Sequence, residues 1–109
     1  KMENIIFLEL LRRKKPTMEF FYWKNTQQEE VDFVIKESGC IKELIQVCKD
    51  IKDIDTKQRE IRALLKASKE LKCENLFLIT ENYEAEEEVE WFNLKGKVKF
   101  IPVWKWLLN

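Results

Sequence analysis

Two spacings of apolar residues alternate along this chain, and the switches between them predict its elements. Over residues 2–14, Ile5, Ile6, Phe7, Leu8, Leu10 and Leu11 cover most of the circumference of a helix, which predicts that it is deeply packed. At roughly 100° per residue, Glu3 falls on the side of Ile6, Phe7 and Leu10, and Glu9 falls beside Ile5 and Arg13. Pro16 then closes the helical region. From there the spacing shortens to two. Met18–Lys24 is an aromatic-rich strand, Asn25–Gln28 a polar turn, and Glu29–Glu37 a second strand. Strict alternation puts Val31, Phe33 and Ile35 on one face of it and Asp32, Val34 and Lys36 on the other. Ser38-Gly39 signals a hairpin leading into a third strand, Cys40–Cys48.

The helical spacing returns after Asp55-Thr56-Lys57-Gln58, which reads as an N-cap with a polar residue at N3. That helix runs to about Lys72, with Ile54, Ile61, Leu64, Leu65, Ser68 and Leu71 in one stripe. Asn75–Thr80 is a fully apolar strand, and Lys97–Pro102 a further one before a short closing helix, Val103–Leu108. The acidic stretch Glu84–Glu90 between them reads as a solvated segment or a helical turn. The order α-β-β-β-α-β-β-α predicts an α/β fold, a mixed β-sheet flanked by helices on both faces. Neither an internal repeat nor a linker interrupts residues 1–109, which read as a single domain.

Composition narrows what such a domain can do. At 109 residues with 45% apolar side chains, it is long enough to build one core without staples. The 20 basic and 20 acidic residues cancel, which weighs against a basic nucleic-acid-binding coat. No apolar run approaches the roughly 18–20 residues of a membrane span. Glu9 interrupts the first apolar stretch, so no signal-peptide pattern is present. Cys40, Cys48 and Cys73 are an odd number without tight spacing and read as the reduced thiols of a cytoplasmic protein. The chain contains no histidine. That removes the Ser-His-Asp triad, the Cys-His dyad and His-ligated zinc, leaving carboxylates, lysine and a hard metal for any hydrolytic chemistry.

Four groups of residues then fall into a familiar series. Glu3-Asn4 stands near the start of a helix, followed by Tyr22-Trp23-Lys24, Glu30-Val31-Asp32-Phe33-Val34-Ile35, and Ile45-Gln46-Val47-Cys48. The series resembles the C-terminal domain that follows the ATPase module in uncharacterised, mainly archaeal AAA+ ATPases. That domain is similar to the PD-(D/E)XK nucleases, among them Holliday-junction resolvases and many restriction enzymes. The similarity extends to Ile101-Pro102-Val103-Trp104, essentially the whole chain. It implies a restriction-endonuclease-like fold, an ATPase module preceding Lys1 in the same protein, and DNA as a further partner.

The resemblance also implies a site. Nucleases of this class place an Asp on the second strand, a Glu-x-Lys on the third and often a Glu on the first helix, around a divalent metal that stabilises phosphate charge. Carried over, Glu3 matches the helix carboxylate and Asp32 the strand aspartate, while Gln46 stands where Glu is common. Those three are the expected Mg²⁺ ligands, and no other cofactor is expected. Cys48 stands where the lysine belongs, so the catalytic set Asp32, Gln46, Cys48 is incomplete. Lys49 is one step along the strand and points to the opposite face, Lys24 is no better placed, and Lys36 is the substitute that shares the face of Asp32.

The leading expectation is therefore a nuclease-like module with impaired catalysis that binds DNA or a protein partner. Its rivals are a metal-dependent endonuclease with a displaced lysine and a structural interaction domain that regulates the ATPase. Arg12, Arg13, Lys14 and Lys15 offer a basic cluster for phosphate, set against their ordinary use at a helix C-terminus. Lys and Arg residues between Lys57 and Lys72 read as a solvated face paired with Glu60 and Glu70. Tyr22, Trp23, Trp104 and Trp106 read as core or docking aromatics. No Gly-x-x-x-x-Gly-Lys-Ser/Thr occurs, so ATPase activity is not expected of this segment itself.

Overall fold

A computed structural model describes all 109 residues. Its elements are α1 (Met2–Arg13), β1 (Met18–Lys24), β2 (Glu30–Glu37), β3 (Cys40–Val47), α2 (Ile54–Leu71), β4 (Leu76–Thr80), β5 (Ala85–Trp91), β6 (Leu94–Pro102) and α3 (Val103–Leu108). The strands form one sheet in the order β1-β2-β3-β4-β6-β5. β1, β2 and β3 pair antiparallel, β3-β4 and β4-β6 pair parallel, and β5 closes on β6 antiparallel. The fold is thus the expected mixed α/β sheet, compatible with a restriction-endonuclease-like architecture. The expected antiparallel pairing of β2 with β3 is present, and Ser38 and Gly39 turn between them at φ 52° and 84°, the two positive values of a type I′ hairpin.

The sheet separates two apolar layers. On one side α2 lays Ile61, Leu64, Leu65 and Ala67 on Val31, Val34, Leu44, Leu76, Val98 and Phe100. On the other, Ile6 and Leu10 of α1 and Trp106 of α3 meet Ile35, Ile45, Val47 and Ile79. Each large aliphatic side chain so buried stabilises the fold by about 1.5–3 kcal/mol. No helix is long and apolar enough to cross a membrane.

Several expectations need correction. Glu84–Glu90 is neither a loop nor a helical turn: Ala85–Trp91 is a sixth strand on the sheet edge. Its Glu86, Glu88 and Glu90 stand opposite Lys99, Lys97 and Lys95 of β6. Opposite charges across a ladder stabilise it, and an exposed charged edge resists pairing with other chains. The N-cap of α2 is Asp53 instead of Asp55, which leaves Ile54 exposed in the first turn. Most consequentially, α1 is not deeply packed. Only Ile6 and Leu10 are buried, while Ile5, Phe7, Leu8 and Leu11 remain 41–61% exposed. The four aromatics divide, with Trp23 and Trp106 buried and Tyr22 and Trp104 exposed.

Gly96 shows where the α2 layer tolerates no addition. A Cβ there would lie 3.0 Å from Leu65 Cδ2 and 3.2 Å from Leu76 Cδ1. Both atoms are held in the core, so Gly96→Val is expected to cost about 1–3 kcal/mol through overpacking. Urea denaturation should show that loss at unchanged m-value.

Candidate functional site: an acidic recess at a break in the β2-β3 ladder

The site begins with an irregularity in β2. Trp23 opposes Val31 and Phe21 opposes Val34, so Asp32 and Phe33 together face the single residue Tyr22. This is a β-bulge, and it rotates the strand by one side chain. Val31 and Val34 therefore both pack under α2, while Phe33 and Ile35 pack on the opposite layer. The strict alternation expected of β2 fails here, and Asp32 is the residue set free by the failure.

Beyond Phe33-Ile45 no further β2-β3 partners follow towards the Asp32 end, and side chains replace backbone in the gap. Gln46 Oε1 accepts from Asp32 N–H at 2.9 Å, and its Nε2 donates to Glu30 O at 2.8 Å and to Glu60 O of α2 at 3.4 Å. Asp32 Oδ2 in turn accepts from Val47 N–H at 2.8 Å. Gln46 is fully buried, and both ends of its amide serve neighbouring backbone. It ties two strands and a helix together.

The Asp32 carboxylate reaches into a recess that it shares with Glu3 and Asn4 of α1, and it also lines a groove of about 550 Å³ with Glu30, Arg59 and Glu60. Burial pushes its pKa up to about 7; the Val47 N–H opposes this, while the nearby Glu3 and Glu60 carboxylates add to it. Burial likewise raises Glu60, with Glu3 and Glu30 adding and Arg59 opposing. The mouth of the groove behaves differently. Burial would also raise Glu29, but hydrogen bonds from Asn25, Lys66 and Arg62 outweigh it and hold the group at about 2. Arg62 Nε and Lys66 Nζ lie 2.6 and 2.8 Å from Glu29. Arg62 and Lys66 thus serve Glu29 and Lys57 pairs with Glu87, which leaves Glu60, half-buried, with Arg59 alone at 3.8 Å.

Glu3 and Asp32, the expected carboxylate pair, do come together. Cys48 lies on the α2 side of the sheet with Gln46, as alternation along β3 requires, and is 3% exposed. Burial first, then Glu60 and Asp50, push its thiol up to about 11, so at neutral pH it is uncharged and a poor metal ligand. Lys36 is not brought to the recess. It sits beside Phe21, its Nζ 5.9 Å from the ring centroid, and four residues along a strand amount to roughly 13 Å. The basic cluster is half consumed: Arg12 and Arg13 clasp Glu9, and Arg13 also donates to Trp106 O. Sequence reasoning missed Glu60 and Arg59. Their signal was present, since Glu60 precedes Ile61 at the inner edge of the α2 stripe.

The recess cannot enclose a divalent ion in side chains alone: no three His, Cys, Asp or Glu side chains converge closely enough to hold a metal. Two carboxylates do suit Mg²⁺, which keeps several of its waters and commonly takes one or two protein oxygens. Glu3 and Asp32 would hold it, and it would supply charge stabilisation for a phosphate.

The mixed six-stranded sheet with carboxylates at a broken ladder defines an α/β domain with one acidic recess. By sequence, residues 1–106 match the family described as Domain of unknown function (DUF4143), and the chain belongs to that family. It is also similar to an uncharacterized protein of Methanocaldococcus jannaschii, 40% identical over 110 residues. That alignment takes in 99% of this chain and 24% of the relative, so the chain spans about a quarter of the curated relative's length.

Removing the Asp32 charge should raise stability in a pH-dependent way. The carboxyl titrates near 7 in the fold and near 4 when unfolded, about as for a free Asp. Between those limits the native state keeps a proton that the unfolded state has lost, so stability falls as pH rises through the window. Asp32→Asn keeps an acceptor for Val47 N–H and is expected to gain about 1–3 kcal/mol at pH 8, after solvent screening, and nothing at pH 4. Thermal melts across pH 4–8 test this. Gln46→Ala, in contrast, should cost about 2–4 kcal/mol at every pH, because buried donors and acceptors lose their partners.

Proposed function

We propose that this domain is a PD-(D/E)XK nuclease-like module, the C-terminal part of a longer cytoplasmic AAA+ ATPase, that has lost hydrolysis and works by binding DNA or a protein partner. One observation carries the reading. Glu3 and Asp32 share a recess of the kind such a nuclease uses for its metal, while the lysine position holds a buried, uncharged thiol, Cys48. A phosphodiester under attack accumulates negative charge, and a positioned cation stabilises it. Lys36 is turned to the far end of β2, and the lysine that does line the recess, Lys1, comes from the start of α1 and not from the third strand. The exposed, unpaired cations of the basic cluster reduce to Lys14 and Lys15, which favours the protein partner over DNA.

A second reading has one observation in its favour. Arg59 lines the same groove as Asp32 and Glu60, and its charge acts on the Cys48 thiol. If hydrolysis survives, Arg59 is the residue that replaces the lysine, not Lys36.

Plasmid and branched DNA incubated with Mg²⁺ or Mn²⁺ decide between them. The proposal expects no cleavage, together with a Mg²⁺-induced rise in melting temperature at pH 8 that Asp32→Asn abolishes. Metal-dependent cleavage that disappears in Asp32→Ala and in Arg59→Ala, and survives in Lys36→Ala, would establish the second reading.

A further inference from the structure

The sequence of α1 is apolar nearly all round, and a helix of that kind is ordinarily covered on every side. In the fold only one side is covered. Ile6 and Leu10 face the sheet. Successive 100° steps place Leu8 directly opposite them, with Ile5 and Leu11 to either side. These three are 61%, 48% and 45% exposed. The neighbouring helix repeats the arrangement: α3 buries Trp106 against the same layer and turns Trp104 and Leu108 outward, 55% and 78% exposed. The two helices are joined through Arg13, which donates to Trp106 O at 3.0 Å and stacks its guanidinium 4.5 Å from the Trp106 ring centroid. Five large apolar side chains therefore look away from the sheet on one side of the molecule. A contiguous patch of that kind marks an interaction surface.

We infer that the outer face of α1 and α3 is the seat on which this domain docks against the remainder of its own polypeptide, through a surface that is apolar at its centre and acidic at its rim. The occupant follows from two observations. Three quarters of the Methanocaldococcus jannaschii relative lies outside the region matched by this chain, so a tethered neighbour is at hand at high effective concentration. The rim is basic: Arg12 and Lys105 flank the apolar residues, each with a carboxylate of this domain, and Lys14 and Lys15 beyond them have none within ion-pair distance. A second copy would bring this same basic rim to the interface, its Glu9 and Glu84 already paired with Arg12 and Lys105, and gathering like charge at one interface costs free energy. A neighbour with an acidic rim has no such penalty. The inference rests on the domain's working within a longer polypeptide and is independent of the chemistry at Asp32.

Hydroxyl-radical footprinting of the 109-residue chain and of the longer polypeptide containing it tests the seat directly. Ile5, Leu8, Leu11 and Trp104 are expected to label several-fold less in the longer polypeptide, with Phe21 and Tyr22 on the β1 edge unchanged. Leu8→Asp should restore the labelling of Ile5, Leu11 and Trp104 there while leaving the melting temperature of the 109-residue chain within a few degrees of its parent, since Leu8 is exposed. Equal labelling in the two proteins overturns the inference. So does protection already present in the 109-residue chain together with a dimeric mass, which would make a second copy the occupant. A missing Mg²⁺ response would leave this result untouched and count only against the reading of the recess.

Discussion

Where β2 and β3 part company, a glutamine side chain takes over the work of the backbone ladder. Gln46 accepts from Asp32 N–H and donates to Glu30 O and Glu60 O, so three segments converge on one buried amide. Only one orientation of that amide satisfies every partner, because the Asp32 group is a donor and the other two are acceptors. The bulge at Asp32-Phe33 and the aim of the Asp32 carboxylate are held by it, and it ties α2, seated by its apolar stripe, to the end of the sheet. A glutamate at this position would bring a second acceptor against the carbonyls of Glu30 and Glu60. Where the resemblance makes a glutamate common, the local backbone needs an amide.

The same convergence sets the electrostatics. Asp32, Glu3 and Glu60 lie near one another at the end of the sheet, and burial adds to their mutual repulsion, so Asp32 and Glu60 are both raised. Glu29, at the mouth of the same groove, is held at about 2 by Arg62, Lys66 and Asn25. Asp32 has no such partner: Lys1 lines its recess and Arg59 its groove, and neither forms an ion pair with it. Arg59 approaches Glu60 only at 3.8 Å and from an exposed position. A divalent ion held by such carboxylates would displace the proton of the raised Asp32.

Much of this architecture is legible in the residues themselves. The Ser38-Gly39 turn, the α2 stripe from Ile61 to Leu65 and the pairing of β2 with β3 follow from local spacing, and the fold confirms them. What escaped was non-local. The Glu-rich segment 85–91 becomes a strand because lysines of β6 stand opposite, and nothing within the segment announces its partner. The bulge at Asp32 breaks the period that sequence reading must assume: strict alternation puts Val31 with Phe33 and Ile35, whereas it packs under α2 with Val34. Glu60 reads as a paired surface acid because α2 is rich in Lys and Arg, whereas Arg62 and Lys66 turn to Glu29 and Lys57 to Glu87. The apolar residues of α1 do cover most of its circumference, but the deep packing they predict is absent, with only Ile6 and Leu10 buried.

The central claim is that Asp32 holds its proton up to about pH 7 in a recess where no cation pairs with it, and that a divalent ion bound there would displace that proton. Carbon-13 NMR titration of the Asp32 carboxyl, with and without Mg²⁺, measures it most directly. The account predicts a midpoint near 7 in the absence of the ion and a shift downward by at least one unit when Mg²⁺ is added, on the order of what an adjacent opposite charge produces. A midpoint in the ordinary carboxylate range, about 4, unmoved by Mg²⁺, would contradict it.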